Sequence, residues 1–90
     1  MAHEIEFPRN IDNVLASANE HGLYVISGWT IGIPRQVAID YAKSINTDPN
    51  AGFFQYEGKV VLSHRDSKIT LSQQEANAIV DLIKAAYGPF

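Results

Sequence analysis

The sequence predicts a small α+β domain with a mostly antiparallel sheet and helices packed largely on one face. Three observations predict it. Short alternating or continuous apolar runs suit strands, longer runs with apolar stripes at helical spacing suit helices, and Glu57-Gly58 between two apolar runs reads as a two-residue hairpin turn. Ninety residues fit one domain, 1–90, with a thin core.

Taken in order, Ile5 and Phe7 alternate with Glu4 and Glu6, a short edge strand ending at Pro8. Ile11, Val14, Leu15 and Ala18 recur at helical spacing, with Asn10 or Asp12 as cap and His21-Gly22 as terminator. Leu23-Tyr24-Val25-Ile26 reads as a buried strand, and Gly28-Trp29-Thr30-Ile31-Gly32-Ile33 as a loop or broken strand end. Pro34 suits the first turn of a second helix with Ala38, Tyr41, Ala42 and Ile45 on one stripe, widened by Val37. Asn46 to Asn50 terminates that helix, and the chain restarts at Gly52.

The second half is more legible. Phe53–Tyr56 and Lys59–His64 form the hairpin, and Lys68–Leu71 a further strand. Ser72 and Glu75 form a capping box ahead of a helix carrying Ala76, Ile79, Val80, Ile83 and Tyr87 on its apolar face. The order read is β-α-β-α-β-β-β-α, and the opening β-α-β could instead be a parallel crossover.

Composition narrows the function classes. Ten Asp and Glu against seven Lys and Arg give a net charge of −3, with no basic run. Nucleic-acid binding draws most of its affinity from clustered cations on phosphates, so this pattern argues against it. The absence of cysteine excludes disulfides and thiol chemistry and suits a soluble protein of a reducing cytoplasm. No signal-peptide pattern and no membrane-length apolar run is present, so no membrane partner is expected.

The hairpin register supports a sharper reading. A two-residue turn sets Tyr56 opposite Lys59, Phe54 opposite Val61 and Phe53 opposite Leu62. A second turn at Asp66-Ser67 would set His64 opposite Ile69 and Leu62 opposite Leu71. Phe53, Val60, Leu62, Ile69 and Leu71 then share a core face. Phe54, Tyr56, Lys59, Val61, Arg65, Lys68 and Thr70 share the other. Aromatic residues and Arg are enriched at protein interfaces, so the second face is a candidate partner-binding surface. The competing account packs Phe54 and Val61 under another element. Trp29 is either a plug for its loop or an exposed anchor, and it joins the candidate partner-binding set in the second case.

Catalytic and metal signatures are weak. Ser63, His64 and Asp66 are close in sequence, but strand neighbours point to opposite faces, so the segment reads as a solvated turn. His3, His21 and His64 fit no metal-ligand spacing, and His21 is expected to cap a helix C-terminus. Asp40 and Asp81 fall on polar helix faces. No catalytic residue, metal ligand or cofactor is assigned.

The expectation is a non-catalytic protein-binding module of unidentified partner, with a homodimer left open. Its size suits a phage or mobile-element accessory protein that inhibits a host defence or regulatory complex. One alternative is a nucleotide-like small-molecule binder with a site between subunits, using Trp29, Tyr24 and Tyr56. The other is a small hydrolase centred on His64 and Asp66.

Overall fold

Apolar residues spaced by two carry most of the first half of the chain into strands. The computed structural model describes residues 3–9, 13–45 and 52–88. Strands β1 (His3–Phe7), β2 (Val14–Ala18), β3 (Gly22–Ile26) and β4 (Thr30–Pro34) form one antiparallel meander. Helix α1 (Arg35–Ser44) follows. Strands β5 (Phe53–Tyr56), β6 (Lys59–His64) and β7 (Ser67–Leu71) form a second meander, and α2 (Gln73–Tyr87) follows it. From β2 onward the chain thus repeats one plan, three antiparallel strands and then a helix.

The core lies between the sheets and the helices. Val14, Ala16, Ala18, Leu23, Val25, Ile31 and Ile33 line the buried face of the first sheet. Phe53, Val60, Leu62, Ile69 and Leu71 line that of the second. Helix α1 packs on α2 and touches β3, β4 and β5, while α2 touches β1, β2, β6 and β7. Because α2 meets both sheets and α1, its buried arc is broad: Leu82 is buried beside the stripe of Ala76, Ile79, Val80 and Ile83. Burying each large core side chain contributes about 1.5–3 kcal/mol.

The α+β class and the antiparallel pairing agree with the sequence reading, and the element order differs in two places. Residues 14–18 form β2, not a helix. Val14 and Ala18 satisfy a helical spacing, but Val14, Ala16 and Ala18 also satisfy a period of two. Pairing with both β1 and β3 while burying all three against the interior outweighs local propensity. The Asn10–Asp12 cap assignment lies outside the described residues. Thr30 to Pro34 is strand β4, not loop, because Ile31 and Ile33 alternate inward while Gly32 faces outward. There are accordingly two helices among the described residues, and no parallel crossover. His21 occupies the β2–β3 turn and not a helix C-terminus, its carbonyl accepting from the Arg35 N–H at the start of α1, and Gly22 opens β3. The expected helix stop at Asn46 to Asn50 lies outside the described residues.

Two local devices fix the helices. Ser72 Oγ accepts from the Glu75 backbone N–H while the Glu75 carboxylate accepts from the Ser72 N–H, completing the expected capping box. Arg9, just beyond β1, donates to that carboxylate and to the Thr70 carbonyl, tying the first sheet to β7 and α2. At the other end of α2, the Tyr87 hydroxyl donates to the Asn19 carbonyl at 2.6 Å, and the Arg35 guanidinium lies 5.2 Å from the Tyr87 ring centre. Burial raises the Tyr87 pKa above its ordinary value.

Candidate functional site

The candidate site is the outer face of the β5–β6–β7 sheet, and two turns set its geometry. Glu57 and Gly58 both have positive φ, 50° and 78°, the arrangement of a mirror-image hairpin turn that follows the natural strand twist. The turn pairs Tyr56 with Lys59, Phe54 with Val61 and Phe53 with Leu62, as the sequence register requires. The second turn is Arg65-Asp66, with Arg65 at φ 56°, one residue earlier than expected. Leu62 therefore faces Ile69, Val60 faces Leu71 and His64 faces Ser67. That corrects the expected pairing by two positions. A shift of two keeps every side chain on its face, so the face assignments stand.

The outer face carries Phe54, Val61 and Thr70 in one cross-strand row, flanked by the Tyr56–Lys59 and Ser63–Lys68 pairs. Phe54 and Val61 are half-buried, and Tyr56 is 61% exposed. Arg65 lies in the turn at the end of this face and not on a strand, because its left-handed backbone takes it out of the ladder. Among the described residues, no helix or strand covers the face.

Trp29 sits at the β3–β4 turn and is 53% exposed, so it is not a core plug. The core beneath its hairpin is already filled by Val25 and Ile31. Trp29 adjoins a second face, left uncovered among the described residues, that sequence reasoning missed. The outer face of the β1–β4 sheet holds the row Glu6, Leu15, Ile26, Thr30 and the row Glu4, Ser17, Tyr24, Gly32. The Tyr24 ring covers Gly32, where an added Cβ would meet Tyr24 Cε1 at 3.5 Å. Leu15, Tyr24 and Ile26 are half-buried and Glu4 and Glu6 exposed. The available signal was the alternation of Leu15 with Ser17 and of Tyr24 with Ile26, which a helical reading of residues 11–18 hides. Tyr24 and Tyr56 sit on different sheets.

Residues 63–66 separate as strand geometry requires. Ser63 faces outward beside Lys68, while His64 turns inward, its Nδ1 3.0 Å from the Tyr41 hydroxyl of α1. The two rings meet edge to face at 5.9 Å. Partial desolvation, with Arg65 next to it, lowers the His64 pKa below its ordinary value. Asp66 is in the turn. His21 Nε2 lies 3.5 Å from Glu20, and no three His, Asp or Glu residues gather among the described residues. No helix among them is long and apolar enough to cross a membrane.

Among the described residues, these features define a small α+β protein of two antiparallel meanders around two helices, each sheet leaving one face open. The chain matches no family model, no curated protein and no solved structure at a significant level.

Proposed function

We propose that the chain is a non-catalytic protein-binding module whose partner docks on the outer face of the β5–β6–β7 sheet. The observation that carries this reading is the exposed Tyr56 beside half-buried Phe54 and Val61, rimmed by Lys59 and Lys68. Rigid rings give contact area at low entropic cost, and the flanking ammonium groups favour a partner with carboxylates at its rim. Phe54 and Val61 would supply the dry centre of such a contact, with Tyr56 as the anchor. A cysteine-free chain suits a reducing, cytoplasmic setting.

The test compares proteins retained from a cell lysate by immobilised wild type and by a Tyr56→Ala/Lys59→Glu variant, with circular dichroism confirming that both fold. Loss of an anchor and reversal of a rim charge should weaken the specific partner at least about tenfold. Equal retention by both proteins would overturn the assignment. The narrower reading, an accessory protein of a phage or mobile element that blocks a host defence complex, is supported by the small size of the chain. Its test is whether expression of the chain restores phage plating on a defended host, and whether the double variant does not.

A further inference from the structure

We propose that the outer face of the β1–β4 sheet is a second docking surface and that its occupant is another copy of this chain, presented through the outer face of its β5–β6–β7 sheet. The inference rests on reading that second face as a docking surface, and adds its complement on the same chain. Charge selects the pairing. The strand positions of the β1–β4 outer face carry two carboxylates, Glu4 and Glu6, and no cation. Those of the β5–β6–β7 outer face carry two ammonium groups, Lys59 and Lys68, and no carboxylate. Stacking like on like would bring four charges of one sign into one contact, which costs affinity. Stacking unlike faces pairs opposite charges around two apolar centres, Leu15, Ile26 and Tyr24 against Phe54, Val61 and Tyr56.

Shape agrees. Both faces are antiparallel sheet surfaces, which stack face to face at about 10 Å with interdigitating side chains. The contact is limited by the smaller sheet, three strands at about 4.8 Å spacing and five residues at about 3.4 Å rise, a footprint of about 14 by 17 Å. That is below the roughly 800 Å² per partner of a standard stable interface, so association is weak and needs high protein concentration. Exposed charge pairs are screened by salt, so association also falls as ionic strength rises.

Sedimentation velocity from about 10 to 500 µM, at low and high salt, tests the proposal, since self-association depends on concentration. Wild type should gain mass with concentration, and less so at high salt. A Glu4→Lys/Glu6→Lys variant presents two cationic faces and should stay monomeric, as should Lys59→Glu/Lys68→Glu with two acidic faces. An equimolar mixture of the two should regain association, because each cationic face now meets an acidic one. Glu6 also accepts a 3.5 Å hydrogen bond from Asn13, so Glu4→Gln/Glu6→Gln is run alongside in case the reversal perturbs folding. It should weaken association several-fold. A monomeric wild type at every concentration overturns the proposal, as does either reversal variant associating like wild type or a mixture that stays monomeric. A monomeric wild type whose captured partner is still lost on Tyr56→Ala/Lys59→Glu would overturn self-pairing alone and leave partner docking standing.

Discussion

Gly52→Ala probes how the second sheet is fastened to α1. Gly52 precedes β5 at φ +66°, and its carbonyl accepts from the Ser63 N–H at 2.7 Å, extending the sheet by one rung. The Tyr41 ring lies against its Cα, so that an added Cβ would fall within contact of Tyr41 Cγ, Cδ1 and Cδ2. Cγ can swing aside only through a change of χ1 that carries the hydroxyl away from His64, or by moving α1. Two costs follow. A non-glycine residue in the left-handed region costs about 1–2 kcal/mol. Overpacking the ring adds about 1–3 kcal/mol, including strain on the Tyr41–His64 hydrogen bond. A total of about 2–5 kcal/mol is a large share of the roughly 5–13 kcal/mol expected for 90 residues, and lowers Tm by about 8–40 °C. Thermal and urea denaturation measure it, and a double-mutant cycle assigns it. In a Tyr41→Ala background the ring is gone and only the backbone cost of about 1–2 kcal/mol should remain. A Gly52→Ala cost that is the same in both backgrounds would refute the reasoning.

Three further outcomes are expected. Glu57→Asn gives the first turn the Asn-Gly pair that best tolerates two positive φ values, and should stabilise the chain by about 0.5–1 kcal/mol, read as a higher urea midpoint at unchanged slope. Because the folded-state pKa of His64 is lowered, its neutral form is favoured by folding; the associated stability is present above the unfolded pKa of 6.5 and is lost as pH falls through that value toward the lower folded pKa. Melting curves from pH 7.5 to 5 should therefore fall more steeply for wild type than for His64→Gln, and parallel curves would contradict the partial desolvation of His64 beside Arg65. The single tryptophan, Trp29, should emit at long wavelength and be readily quenched by acrylamide; a blue-shifted, protected spectrum would place it in the core instead.

The parts of the fold that the sequence announced are those whose signals are local. Glu57-Gly58 dictates a hairpin through its own backbone preferences, and Ser72 with Glu75 dictates a helix start through hydrogen bonds four residues wide. Both faces of the second sheet followed from the hairpin, and survived a misplaced second turn because the shift was even. The first sheet was illegible for the opposite reason. Its inner face uses Ala16 and Ala18, which contrast weakly with outward Leu15 and Ser17, so alternation is faint and a helical spacing stands out by accident. Only pairing with β1 and β3 decides the matter, and that information is distant along the chain. The same misreading concealed the acidic outer face, since Glu4 and Glu6 gain their meaning from Leu15, Tyr24 and Ile26 beside them.

Hydroxyl-radical footprinting of the chain, free and in complex with the protein it captures, bears most immediately on the uncovered β5–β6–β7 face. Phe53, fully buried, should be unreactive in both states, while Tyr56 and Phe54 should be reactive when free and protected in the complex. Tyr56 equally reactive in both states, with protection confined to residues of α1 or α2, would contradict the account.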